Sequence, residues 1–110
     1  MTGWIACEGG SSIGATGSEG GTILRDELHP EGSRITLELN ETRFAITCGV
    51  YGWMVHTRFF ANESDAAAAY EEMKPALAAI VDELPATDAE VEDALPRVTA
   101  TLRDFIRRFP

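Results

Sequence analysis

The chain has 110 residues, 45% of them hydrophobic, and a formal net charge of −9. That length suits one domain with its own core, and the hydrophobic content excludes a disordered chain. A surface this acidic repels phosphate backbones and anionic lipid, which sets aside nucleic-acid binding and membrane attachment. The acidity is concentrated late: residues 1–62 hold seven acids against four bases, residues 63–110 eleven against five.

No basic leader with an apolar run opens the chain, and nothing reaches the length of a membrane span. The expected location is the cytoplasm, with Cys7 and Cys48 kept as thiols. A disulfide between them requires their strands to be neighbours.

In chain order, GWIAC (3–7) reads as a short strand. EGGSSIGATGSEGG (8–21) then holds six of the ten glycines. A phosphate-binding Walker loop needs a lysine after its last glycine, and none precedes Lys74. A dinucleotide fingerprint needs a helix to follow, whereas GTILRDE reads as strand. Two readings remain, a flexible surface loop and a lid over a site with Glu19 as its useful charge.

TILRDEL (22–28) is a weaker strand. Asp26 breaks its alternation, which places it at an edge. His29-Pro30-Glu31-Gly32 turns the chain, proline presetting φ and glycine accepting a positive one. ITLELN alternates cleanly, with Ile35, Leu37 and Leu39 on one face and Thr36, Glu38 and Asn40 on the other. Asn40-Glu41-Thr42 is a hairpin connection to RFAITC, where Phe44, Ile46 and Cys48 share a face. Gly49 and Gly52 bracket the next turn. In WMVHTRFF, Trp53, Val55, Thr57 and Phe59 are expected on the covered face. Met54, His56, Arg58 and Phe60 are expected on the outer one.

From residue 62 the period changes to that of helices. Asn62 or Ser64 caps the first helix, and Glu63 and Asp65 complement its dipole. Its apolar stripe is Ala66, Tyr70, Met73, Leu77, Ile80 and Leu84, and Pro85 ends it. Thr87 or Asp88 caps the second, and Thr87 with Glu90 fits a capping box. Its stripe is Val91, Leu95, Val98, Leu102, Phe105 and Phe109. Pro75 and Pro96 lie off these stripes, so each is read as facing solvent on one long bent helix. Arg103, Arg107 and Arg108 favour the negative end of the second helix dipole.

The expected fold is α+β: an antiparallel meander of three to five strands, then a C-terminal two-helix hairpin packed on one sheet face. Residues 1–110 form a single domain in this reading, with the sheet in 1–61 and the helical hairpin in 62–110.

The leading functional expectation is a small non-enzymatic interaction module that contacts a second copy or another protein through its sheet face. Tyr51, Met54 and Phe60 supply apolar contact there. The alternative is a small-ligand site or enzyme pocket between the glycine-rich loop and the His56/Arg58 strand. His56, Arg58 and Glu38 would form an anion-binding or general-base group on the open face. A third expectation is an acidic inhibitor of a basic protein. No cofactor or metal is expected: the cysteines and histidines lack ligand spacing. A Cys48–His56 dyad is disfavoured because Cys48 shares a face with Phe44 and Ile46, and buried thiols are inert.

Overall fold

The computed structural model describes residues 3–110, apart from the side chains of residues 88 and 89. Five strands form one antiparallel sheet in chain order: β1 (Ile5–Ala6), β2 (Thr22–His29), β3 (Ser33–Leu39), β4 (Phe44–Val50) and β5 (Met54–Phe60). Two helices follow, α1 (Glu63–Asp82) and α2 (Asp88–Arg108). This is the α+β architecture read from the sequence: a meander, then a helical pair packed on one sheet face. No described helix is long and apolar enough to cross a membrane.

Short turns make the meander. Gly32 closes the β2–β3 turn at φ 127°, its N–H donating to His29 O at 3.0 Å. Asn40 Oδ1 accepts from Thr42 N and Arg43 N at 3.1 and 3.2 Å, so one side chain shapes the β3–β4 connection. The β4–β5 turn is Tyr51-Gly52-Trp53, with Trp53 N–H donating to Val50 O at 2.9 Å and Gly52 at φ 81°. Gly49 lies inside β4 rather than in that turn.

β2 is not an edge strand. It pairs with β3 along its length and with β1 at its C-terminal end. Its broken alternation comes from a register shift between Ile23 and Arg25. That irregularity puts Ile23 opposite Glu38 and Asp26 opposite Thr36, both on the face away from the helices.

The core lies between the sheet and α1. Ile35, Leu37, Ile46 and Cys48 meet Tyr70, Met73, Leu77 and Ile80, all buried. The helix stripe is therefore the one the period predicts from Ala66 to Ile80; the helix ends at Asp82, ahead of Leu84 and Pro85. Asn62 caps α1 by accepting from Asp65 N at 2.9 Å. At the β2 side, Tyr70 Oη donates to Glu27 Oε2 at 2.8 Å, and Lys74 Nζ bonds Glu27 Oε1 at 3.0 Å. Arg25 reaches Glu71 at 2.8 Å and stacks over the Tyr70 ring. These polar contacts orient α1 across the sheet.

α2 departs from its expected stripe. Ala94, Val98, Phe105 and Phe109 are buried, while Leu95 is exposed. α2 packs chiefly against α1 and meets the sheet through Phe105 and Phe109 near its end, and one neighbouring helix covers a narrower seam than a sheet does. Pro75 and Pro96 both face solvent, as their phase requires. Thr87 is the N-cap residue but makes no side-chain cap bond; Glu90 Oε2 instead accepts from Ala86 N at 3.1 Å. The alternative cap, Asp88, has its side chain outside the described residues.

Candidate functional site

Register decides which side chains share a face. Directly paired residues in an antiparallel ladder lie on the same side. Ile46 pairs with Arg58, Cys48 with His56, Phe44 with Phe60 and Val50 with Met54. Met54, His56, Arg58 and Phe60 therefore lie on the helix-covered face, the reverse of the expectation. Val55, Thr57 and Phe59 lie on the open one, and Val55 is 79% exposed. The cause is the three-residue turn, which sets Met54 opposite Val50.

His56 and Arg58 do structural work beneath the helices. His56 Nε2 donates to Phe109 O at 2.6 Å, and Arg58 Nε donates to Pro110 O at 3.2 Å. The His56 ring also meets Phe105 edge-on. Met54 and Phe60 pack on the rim of the core. Glu38 sits on the opposite face, so the sheet separates it from His56 and Arg58. The expected three-residue group is not brought together.

Neither thiol sits where the thiolate is favoured. Both are free and buried. Burial pushes the Cys48 thiol up to about 12. Burial, then the charge of Asp26, raises Cys7. Neutral Cys48 contributes stability that is fully present below the ordinary thiol value of about 8.5 and is lost as pH rises toward 12. A thiol reagent at pH 8 is expected to label Cys48 only after unfolding. Rapid labelling of the native protein would contradict that burial.

The helix-free face carries a row of polar side chains across four strands: Asp26, Thr36, Thr47 and Thr57. Arg34 grips Asp26 through Nε and Nη2 at 2.9 and 2.6 Å, and Thr36 Oγ1 donates to the same carboxylate at 3.0 Å. Burial acts to raise the Asp26 pKa, but these hydrogen bonds and the guanidinium charge outweigh it and hold the carboxyl below its ordinary value. Ser12, buried beside it without a hydrogen bond of good geometry, adds to that lowering. Thr47 Oγ1 and Thr57 Oγ1 lie 3.3 Å apart.

The glycine-rich segment folds back over this face. It is a cradle, but for the chain's own carboxylate. Glu38 is 1% exposed and accepts from Gly21 N at 2.7 Å and Glu19 N at 3.2 Å. A Cβ on Gly17 would stand 2.5 Å from Glu38 Oε1, and one on Gly21 would stand 2.9 Å from the Leu39 carbonyl. At Gly21 the obstacle is the sheet's own main chain, and at Gly17 it is the buried Glu38 carboxylate, so each position favours glycine.

Beside this loop lies a pocket of about 600 Å³. Thr16, Gly17 and Ser18 form one wall, and Tyr51, Trp53 and Val55 form the other. Thr36, Thr47, Gly49 and Arg34 form the floor between them. Of the sequence-expected binding residues, Tyr51 and Met54 border this pocket, and His56, Arg58, Phe60 and Glu38 do not line it. Arg34, Thr36 and Thr47 went unnoticed as site residues, although Thr36 was already on the polar face of β3. The signal that finds Thr47 is its pairing with Thr36. Comparison with protein-family models, curated proteins and solved structures finds no match to this chain.

Proposed function

We propose that this protein is a small binding protein whose ligand occupies the pocket between the glycine-rich loop and the β4–β5 turn. The observation that carries this is the pocket itself: about 600 Å³ on the helix-free face, walled by Tyr51 and Trp53, with Arg34 and threonine hydroxyls converging on its floor. That volume suits a small molecule, and apolar walls with a few placed polar groups are the usual form of such sites. The ligand that fits is a flat apolar group with an acceptor or anionic end toward Arg34. His56 lies on the other face and both thiols are neutral, so recognition rather than nucleophilic chemistry suits these residues.

The probe for this reading is 1-anilinonaphthalene-8-sulfonate, an apolar bicycle with one sulfonate. Saturable one-to-one binding is expected, with amide shifts confined to 16–18, 47–49 and 51–55. Gly49→Val should weaken it about tenfold or more, roughly 1.4 kcal/mol or above. Gly49 lines the pocket, and an added Cβ meets only Met54 O, at an ordinary contact distance of 3.5 Å; an unchanged melting temperature is the control that the variant is folded. Binding that does not saturate, or that Gly49→Val leaves unchanged, would overturn the proposal.

A further inference from the structure

β5 is the last strand in the sheet order, so its far side is an open edge. Main-chain N–H and C=O groups alternate between the two sides of a strand. The hydrogen bond from Trp53 N–H to Val50 O aims Val50 toward β5. Cys48, Ile46 and Phe44 share that direction, and their partners His56, Arg58 and Phe60 face back toward them. Val55, Thr57 and Phe59 therefore aim their N–H and C=O groups away from the sheet. Their side chains also lie on the helix-free face, with Val55 79% and Phe59 43% exposed. The strand has no proline, lysine or bulge to blunt the edge. Its one permanently charged residue, Arg58, is turned under the helices and held by Pro110 O and Met73 Sδ.

We infer that β5 pairs antiparallel with β5 of a second copy, about a two-fold axis through Thr57. In this register Val55 lies opposite Phe59 of the second copy, and Phe59 opposite its Val55, so both exposed apolar side chains are covered. The two Thr57 residues exchange main-chain bonds, and the polar row continues across the junction. His56 faces Arg58 of the second copy on the helix side, where both are already tied to main-chain oxygens. Sliding by two residues one way sets Arg58 against Arg58, a like-charge pair. Sliding the other way sets Val55 against Thr57 and leaves Phe59 beside the turn.

The paired copies form one continuous sheet with both helical layers on the same side. A seven-residue edge is about 23 Å long, short against the roughly 800 Å² per partner of a standard interface. The association is therefore reversible. Val55 also borders the pocket, so Phe59 of the second copy stands at its open flank. The pairing itself does not depend on the pocket being occupied.

Sedimentation velocity of the full chain, from about ten micromolar to about one millimolar, tests this. Wild type is expected to shift from monomer toward dimer. Amide exchange at Val55, Thr57 and Phe59 should slow about tenfold in the concentrated sample, with His56 and Arg58 unchanged. Thr57→Pro removes a donor that only the second copy uses, and Val55→Lys sets a charge against Phe59. Each should leave a folded monomer. A wild type that stays monomeric throughout overturns the inference, and so does a dimer that survives Val55→Lys, whose exposed site carries no risk to folding.

Discussion

Asp26→Ala is expected to cost about 2–3 kcal/mol of stability, seen as a fall in melting temperature of roughly 10–20 °C. The Asp26 side chain is 0% exposed and takes three hydrogen bonds, two from Arg34 and one from Thr36. Truncation strands the buried Thr36 hydroxyl without that acceptor. Arg34, at 40% side-chain exposure, recovers part of its hydration, which keeps the loss below that of a fully buried pair. The double variant Asp26→Leu with Arg34→Met is expected to lose less than Asp26→Ala, because it removes both charges together.

The pH dependence follows from the direction of the shift. A carboxyl held below its ordinary value of about 3.9 contributes stability that is present above that value. The contribution is lost as pH falls through the lower folded value. The gap between wild type and Asp26→Ala should therefore be constant near neutrality and close below about pH 4. Chemical denaturation at several pH values measures it. A gap that persists undiminished at pH 2 would show that the carboxylate charge is not what stabilises the cluster.

Glu38→Ala is expected to cost roughly 2 kcal/mol and to free the loop. The carboxylate is the acceptor for Gly21 N and Glu19 N, so it fastens the glycine-rich segment to the sheet. Glu38→Gln keeps an acceptor oxygen but loses the charge, and should retain about half of the effect. Gly21→Ala is the complementary test. Its Cβ would press on the Leu39 main chain, which cannot give way as a side-chain tip can. A cost of about 1–3 kcal/mol is expected. In each variant the amides of Glu19 and Gly21 should exchange faster, and pocket binding should weaken because the 16–18 wall is displaced. Unchanged exchange at those two amides would show that Glu38 does not anchor the loop.

The sequence carried a large part of this fold. The 4,3 spacing from Ala66 to Ile80 identified the buried face of α1, because only a helix brings those positions into one line, while Leu84, the last of the expected stripe, lies just beyond the helix end at Asp82. Alternation in ITLELN and RFAITC identified β3 and β4 and their core faces. The composition of the three turns placed the strand ends within a residue or two. Each of these signals is local: the residues that reveal the element also build it.

The tertiary structure decided the rest. WMVHTRFF is apolar at both parities, so alternation supplies a period but not a phase. The phase comes from the turn: with Val50 opposite Met54, the even residues of β5 must follow Cys48 and Ile46 beneath the helices. His56 and Arg58 are tolerated there because the end of the chain offers them Phe109 O and Pro110 O. Leu95 is exposed and Ala94 buried because α2 packs chiefly on α1 and reaches the sheet through Phe105 and Phe109 near its end. Glu38 was legible as an outward polar residue of β3. That it is buried depends on residues 17–21 returning across the sheet, a contact spanning some twenty positions that no local pattern encodes. The pocket follows from that same return, since one of its walls is the loop that Glu38 holds in place.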